Sequence, residues 1–260
     1  MLFRSVRDRF GKKPLWYSYR EREVYFSSEV KGLFPLGVKR EFETSAIPEF
    51  LQYGYVNSPR SAYKDILQVN PGHTVTVDMS GLKESTYWDL NDIVSHDYTY
   101  SEAKELVEAQ IKTAIRERLT SERPIGSFLS GGIDSSLVTA LMTREAGGRI
   151  HTFTIGFDDK RFDESRFADP VARHLKTIHH EEIIRPDPEL LLSTLGKILD
   201  HPFADSSIIP TFLLSKFARE SVVVALGGDG GDEAGPAPAL DPPRPAGDPA
   251  RPRARCRRSR

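Results

Sequence analysis

The chain of 260 residues contains the stretch Phe128-Leu129-Ser130-Gly131-Gly132-Ile133-Asp134-Ser135-Ser136, which decides the fold of its second half. This stretch follows a predicted strand, Pro124 to Leu129, and opens a predicted helix, Ser135 to Arg144. The two glycines allow a tight turn and a close approach of the backbone to a ligand. Backbone N–H groups at the start of a helix attract anions. The stretch therefore predicts a loop that cradles phosphate.

Two other interpretations of this loop are a Walker A loop and a purely structural turn. It lacks the Gly-Lys-Ser/Thr ending of a Walker A loop, which argues against a kinase or a GTPase. The structural alternative is a glycine turn with an Asp-Ser helix cap, because both residue types are common at helix starts.

Strand and helix patterns alternate on both sides of the loop. This alternation predicts βαβ units and a mostly parallel, doubly wound α/β sheet with helices on both faces. The predicted segments are a helix from Thr99 with Thr99 and Glu102 as a capping box, a strand His151 to Ile155, a helix Glu164 to His174, a strand Thr177 to Ile184, helices Glu189 to Leu199 and Thr211 to Arg219, and a strand Val222 to Leu226.

Residues 1–95 are β-rich by the same criteria. The runs Leu15 to Tyr19 and Glu23 to Ser27 predict a hairpin with a charged turn. A second pair is predicted from His73 to Val77 and from Lys83 to Trp88, and a short helix from Ala46 to Tyr53 lies between the pairs. We therefore expect a β-rich domain at 1–95, an α/β domain at 96–233 and a separate tail at 234–260.

Composition restricts the class of protein. Hydrophobic residues make up 38% and charged residues 28%, which is typical of globular domains. A net charge of −1 gives no general attraction to nucleic acid or to an anionic membrane. No apolar run reaches the roughly 18 residues of a membrane span. The single cysteine, Cys256, excludes an intramolecular disulfide, so we expect a soluble cytoplasmic protein.

The tail at 234–260 differs from the rest of the chain. It holds seven arginines against two aspartates, and seven of the 18 prolines. We expect it to be disordered. It has no aromatic residues that could stack on bases, so nucleic-acid binding is not favoured. The abrupt change after Glu233 suggests a shifted reading frame.

The loop at 130–136 resembles the pyrophosphate-binding motif of the ATP pyrophosphatase (HUP-like) family, and its surroundings resemble the glutamine-hydrolysing asparagine synthetases. The resemblance runs from about Val6 to Glu233. Its other motifs are Phe153 to Phe157, Asp163 to Ser165, Ala172 to Leu175, His179 to Glu181, Asp205 with Pro210, and Ala225 to Glu233. In the first domain, Arg7 to Leu15 and Phe26 to Lys31 resemble the late part of an N-terminal-nucleophile glutaminase domain.

The resemblance implies an ATP-dependent ligase that adenylates aspartate, releases pyrophosphate, and displaces AMP with ammonia taken from glutamine; Mg²⁺ offsets the phosphate charge. By position, the pyrophosphate cradle would be Ser130, Gly131, Gly132, Asp134, Ser135 and Ser136. The nucleotide would be bordered by Leu129, Ile155, Gly227 and Gly228, and Asp229 would be the catalytic residue. The implied metal ligands are Asp134 and Asp232, and the implied glutamine contact is Asp8.

The chain departs from this family at both ends. The glutaminase nucleophile of the family is an N-terminal cysteine, whereas residue 2 here is Leu2. Cys256 lies in the tail with no base beside it. We therefore expect an incomplete form, truncated at both ends and without glutaminase activity.

Three functions stay open from the sequence. The first is the asparagine synthetase reaction; the second is adenylation of another carboxylate, as in β-lactam synthetases; the third is an inactive nucleotide-binding remnant. The expected partners are small molecules, namely aspartate, ATP, and glutamine or ammonia, and a homodimer is left open. No nucleic acid or membrane partner is expected. His179 and His180 would point to opposite faces of a strand, which argues against a shared metal site.

Overall fold

The computed structural model describes residues 2–94, 96–158, 163, 165–185 and 188–230. No helix in these ranges is both long enough and apolar enough to cross a membrane. The strands and α-helices, in chain order, are β1 (Phe3–Val6), β2 (Trp16–Arg20), β3 (Glu23–Ser27), α1 (Ile47–Tyr53), β4 (Leu67–Gln68), β5 (His73–Asp78), β6 (Gly81–Thr86), α2 (Tyr100–Leu119), β7 (Ile125–Phe128), α3 (Ile133–Glu145), β8 (His151–Phe157), α4 (Ser165–Leu175), β9 (Ile178–Ile184), α5 (Pro188–Ile198), α6 (Ile208–Ala218) and β10 (Val224–Leu226).

The first part of the chain forms two three-stranded antiparallel sheets, in the orders β1-β5-β6 and β3-β2-β4. The predicted hairpin of β2 and β3 is confirmed. Its two turn residues, Glu21 and Arg22, have φ angles of 51° and 68°, as a two-residue turn between twisted strands requires. Strands β1 and β4 were not predicted, and β6 begins at Gly81 rather than at Lys83.

Both faces of β2 are buried, because successive side chains of a strand point to opposite sides. Tyr17 packs with Val75 and Val77 of β5, so it joins the two sheets. Trp16 packs on the other side with Val30 and Leu33. These two apolar clusters form the core of the β-rich half.

The second part of the chain forms a four-stranded parallel sheet in the order β10-β7-β8-β9. The predicted α/β class is confirmed. Strand β7 comes first along the chain but lies inside the sheet, with β8 and β9 added on one side and β10 on the other. The strand order therefore reverses between β7 and β10.

Helices cover both faces of this sheet. On one face, the fully buried Phe153 of β8 packs with Ala218 of α6. On the opposite face, Leu129 packs with Ala168 of α4, and Met142 of α3 packs in a cluster with residues of α2. The core is thus divided by the sheet into two layers.

The predicted capping box of α2 is also confirmed. The Thr99 hydroxyl accepts the Glu102 N–H at 3.3 Å, and the Glu102 carboxylate accepts the Thr99 N–H at 2.8 Å. Two backbone donors at the start of the helix are satisfied in this way.

Three elements of the second half begin two or three residues away from their predicted starts. Helix α6 begins at Ile208, not at Thr211, because Pro210 fits the first turn of a helix, where its missing N–H removes no hydrogen bond. Helix α3 begins at Ile133 rather than at Ser135. Strand β10 begins at Val224, because the Val222 N–H still bonds to the Ala218 carbonyl at 2.9 Å.

Phe153→Ala should lower the free energy of unfolding by about 3–5 kcal/mol, because it leaves a cavity in the centre of the sheet. The control is Tyr100→Ala, since Tyr100 is an aromatic residue of α2 with 86% of its surface exposed. The control should stay within about 0.5 kcal/mol of the unmodified chain in urea denaturation. Equal losses in both variants would contradict the assigned core.

Candidate active site

A cavity of about 1070 Å³ lies at the carboxyl ends of the parallel strands. Three segments form most of its wall: the ends of β7, β8 and β9, the loop at 227–229, and the start of α6 at 206–211. The wall therefore includes the residues at the end of β7 and the loop that follows β10. The strand order of the sheet reverses between these two strands. Open α/β sheets bind their ligands at this position.

The loop between β7 and α3 forms one side of the cavity. Gly131 has φ +83°, and a Cβ atom there would lie 2.3 Å from the carbonyl carbon of Phe167. Only glycine combines this left-handed conformation with so close a backbone. Gly132 is extended and precedes the first helical residue, Ile133. The first-turn N–H groups of α3 therefore open onto the end of the sheet without intrahelical partners.

Hydroxyl groups hold this loop in shape. The Ser135 Oγ lies 3.0 Å from the Ser130 Oγ, accepts the Ser130 N–H at 3.3 Å and donates to the Gly132 carbonyl at 3.3 Å. The Ser130 Oγ accepts the Gly132 N–H at 3.3 Å. These contacts fix the turn before any ligand is bound.

The loop after β10 packs directly on the start of α3. A Cβ atom at Gly228 would lie 2.8 Å from the Ser135 nitrogen and 3.0 Å from the Asp134 Cβ, so glycine is needed for this approach. The Ser127 hydroxyl reinforces it, because it lies 2.9 Å from the Thr139 Oγ1 of α3 and donates to the Leu226 carbonyl at 3.3 Å. One buried serine thus connects β7, α3 and β10.

Aromatic residues and an ion pair complete the wall. Phe128 and Phe157, at the ends of β7 and β8, line the cavity together with Phe153, which is buried within β8. Arg185, just after β9, pairs with Asp158, just after β8, at 2.6 Å, and both residues line the cavity. Phe128, Phe153 and Phe157 lie in stretches that the sequence analysis quotes, but they were not predicted as site residues. Arg185 was not selected, although the end of a predicted parallel strand could have indicated it.

Seven predicted site residues lie on the cavity wall: Leu129, Ser130, Ser135, Ile155, Gly227, Gly228 and Asp229. Gly131, Gly132 and Asp134 belong to the loop and first turn that carry Ser130 and Ser135. Asp232 lies outside the described residues.

Ser136 is placed differently from its neighbours. It lines a separate groove of about 470 Å³ between α3 and α4, together with Val171 and Leu175 of α4. Its buried hydroxyl has no hydrogen-bond partner among the described residues. Successive side chains of an α-helix point in directions that differ by roughly 100°, so Ser135 and Ser136 face different grooves.

Asp8 lies in the β-rich half and is not part of the cavity wall. Its carboxylate accepts the N–H groups of Lys12 and Lys13, each at 3.0 Å. Burial raises the pKa of Asp8, but these backbone donors and the Arg7 charge outweigh it, so the pKa lies below the ordinary value of 3.8. The carboxylate therefore holds the turn at 8–13 in its charged form.

The donor set at the cavity fits Mg²⁺ only in part. No three of the described His, Cys, Asp and Glu residues come together as a metal cluster. Asp134 and Asp229 are exposed, and the close contact of Gly228 with Asp134 brings their two segments together. One or two carboxylates are what Mg²⁺ uses when phosphate oxygens supply the other ligands.

A parallel α/β sheet with a glycine loop and a helix start at its order reversal defines the class of nucleotide- and phosphate-binding domains. Residues 106–236 match the family model for asparagine synthase. Residues 3–88 match the model for a glutamine amidotransferase domain. The chain belongs to the asparagine synthase family.

Individual relatives agree with this assignment. A putative glutamine-hydrolysing asparagine synthetase 2 of Methanocaldococcus jannaschii is 35% identical over 236 residues, which are 87% of this chain and 45% of the relative. Asparagine synthetase 1 of Bacillus subtilis is 33% identical, over 88% of this chain and 36% of the relative. An amidase, chyE, of Penicillium rubens is 27% identical, over 88% of this chain and 37% of the relative. The chain spans less than half the length of these relatives.

Gly131→Ala should destabilise the chain by at least about 2 kcal/mol more than Gly147→Ala. Both glycines have positive φ, +83° and +64°, but a Cβ at Gly147 meets nothing within 4 Å. The control therefore carries the left-handed strain without the clash against Phe167. Urea denaturation of both variants measures the difference, and equal losses would contradict the described packing of the loop.

Proposed function

We propose that the cavity binds Mg-ATP and that the protein is a ligase of the glutamine-hydrolysing asparagine synthetase type. In this reaction the side-chain carboxylate of aspartate attacks the α-phosphate of ATP and pyrophosphate leaves. Ammonia then displaces AMP from the acyl-adenylate, which yields asparagine. The observation that carries the proposal is the start of α3, where Ser135 lines the same cavity as the glycine loop at 227–229 and the first-turn N–H groups have no intrahelical partners.

Each side of the cavity has a proposed role. The loop from Ser130 to Gly132 and the first turn of α3, with Asp134, Ser135 and Ser136, hold the pyrophosphate. The Ser136 hydroxyl faces the other groove and its N–H donates to the Gly132 carbonyl at 3.0 Å, so Ser136 contributes only by shaping the helix start. Leu129, Ile155, Gly227 and Gly228 border the nucleotide, and Asp229 stands at the adenylate-forming centre.

Mg²⁺, held by Asp134 and Asp232, would neutralise charge on the phosphates. The exposure of Asp134 beside the glycine loop supports its part in this role. The Arg185–Asp158 ion pair lies across the cavity from the loop at 130–132. The apolar side chains at that end of the sheet suit the adenine base of the nucleotide rather than a phosphate.

We propose the same division of the chain as the sequence predicts: an amidotransferase domain at 1–95, an ATP-binding domain at 96–233 and a tail at 234–260. Asp8 would then contact glutamine. Both of its carboxylate oxygens already accept backbone N–H groups, which leaves each oxygen one further lone pair for an ammonium donor. We also propose a cytoplasmic location and aspartate, ATP, and glutamine or ammonia as partners.

A second candidate function is adenylation of a carboxylate other than aspartate. The similarity to the amidase chyE favours it, because this relative carries a different name from the synthetases at a comparable identity. Exchange of labelled pyrophosphate into ATP separates the two functions. Exchange that requires aspartate supports asparagine synthesis, whereas exchange only with another carboxylate supports the alternative.

Asp134→Ala should weaken Mg-ATP binding about tenfold, because it removes a carboxylate from the metal and from the helix start. The control is Asp92→Ala, an exposed carboxylate in the segment before α2. Calorimetric titration with Mg-ATP should give the control the affinity of the unmodified chain. If Asp134→Ala binds as tightly as the control, Asp134 has no part in the site.

A further inference from the structure

The segment from Leu199 to Asp205, which joins α5 to α6, lies against the β-rich half. The Asp200 carboxylate accepts the Lys31 N–H at 2.6 Å, and the Lys31 Nζ donates to the Ile198 carbonyl at 3.1 Å. Four residues further on, the Ala204 N–H donates to the Gly54 carbonyl at 2.8 Å. We call residues 199–205 the α5–α6 connection. It is fixed to the first half of the chain at both of its ends.

His201 is the central contact of the α5–α6 connection. Its ring lies 4.8 Å from that of Trp16, which is itself buried, and its Nε2 accepts the Ala62 N–H at 3.2 Å. A backbone N–H can only donate, so this bond requires an unprotonated Nε2. Ala62 is fully buried, and its N–H would lose this partner if the ring were protonated.

The α5–α6 connection leads straight into the cavity wall. The Asp205 carboxylate accepts the Ser207 N–H at 2.8 Å, and Ser206 and Ser207 line the cavity beside Pro210. The start of α6 therefore takes its position from a segment that the β-rich half holds in place.

We propose that His201 is a positioning residue: its neutral ring fixes the α5–α6 connection and thereby the start of α6, so protonation of His201 weakens nucleotide binding. This inference rests on the proposed function, in which the cavity takes Mg-ATP. It concerns a residue outside the cavity wall, which acts through Ser206 and Ser207.

The surroundings of His201 favour the neutral ring. Burial lowers the pKa of His201 below its ordinary value of 6.5, against the opposing effects of the Asp200 charge and of a hydrogen bond that the ring donates to the Pro202 backbone carbonyl. The other charged groups at this contact are Lys31, which binds Asp200, and Glu29, which lies 3.2 Å from the Lys31 Nζ. The stabilisation is complete above pH 6.5 and is lost as the pH falls through the lower pKa of the folded chain.

Two variants separate the hydrogen bond from ring packing. His201→Gln keeps an acceptor for the Ala62 N–H but does not titrate, and His201→Phe keeps a ring against Trp16 but has no acceptor. Mg-ATP affinity is measured by calorimetry at about pH 8 and about pH 5.5. In a Trp88→Phe background, Trp16 emission is followed over the same range, because Trp16 and Trp88 are the two tryptophans of the chain.

The unmodified chain should lose several-fold more affinity on acidification than His201→Gln, which carries only the pH dependence of the nucleotide itself. His201→Phe should bind about tenfold more weakly already at pH 8. Trp16 emission should change with pH in the Trp88→Phe variant that keeps His201. It should not change in the Trp88→Phe variant that also carries His201→Gln.

Three results would overturn the inference. Equal pH dependence of binding in the unmodified chain and His201→Gln, or unchanged binding by His201→Phe at pH 8, overturns the positioning role alone. Absence of Mg-ATP binding by the unmodified chain at pH 8 overturns the proposed function and this inference with it.

Discussion

The first turn of α3 carries backbone N–H groups that no helical carbonyl can satisfy, and this turn lies at the carboxyl end of β7, where its Ser135 lines the cavity. This constraint accounts for the glycines around it. Gly131 lets the chain turn beneath Phe167, and Gly228 lets the loop after β10 reach the same helix start. The Ser127 hydroxyl holds β7, α3 and β10 together, so the cavity depends on the order of the strands.

Sequence patterns predict the features that local chemistry determines. The capping box at Thr99, the hairpin of β2 and β3, and the strand-loop-helix at 128–136 depend on residues close together in the chain, and all three are found. Other features depend on packing between distant segments. The two-residue strand β4 exists because it pairs with β2, and no periodicity can be read from so short a segment. The motif at 130–136 could not predict that Ser136 lines a second groove, because α4 forms the other wall of that groove.

The two halves of the chain match two different family models, yet they meet through a defined set of contacts. Lys31, Gly54 and Ala62 hold the α5–α6 connection from the β-rich side. The α/β half receives the start of α6 from that connection. The α5–α6 connection gives the two halves a physical means of influencing each other.

The most direct test of the central claim is to follow the glycine amide signals of the chain by NMR during titration with magnesium pyrophosphate. If the start of α3 is the phosphate cradle, the amides of Gly131, Gly132 and Gly228 should shift together with one saturation curve. Gly37 and Gly147, at turns with open space around them, should not shift. Saturable shifts at Gly37 or Gly147, with Gly131 and Gly132 unchanged, would contradict the account.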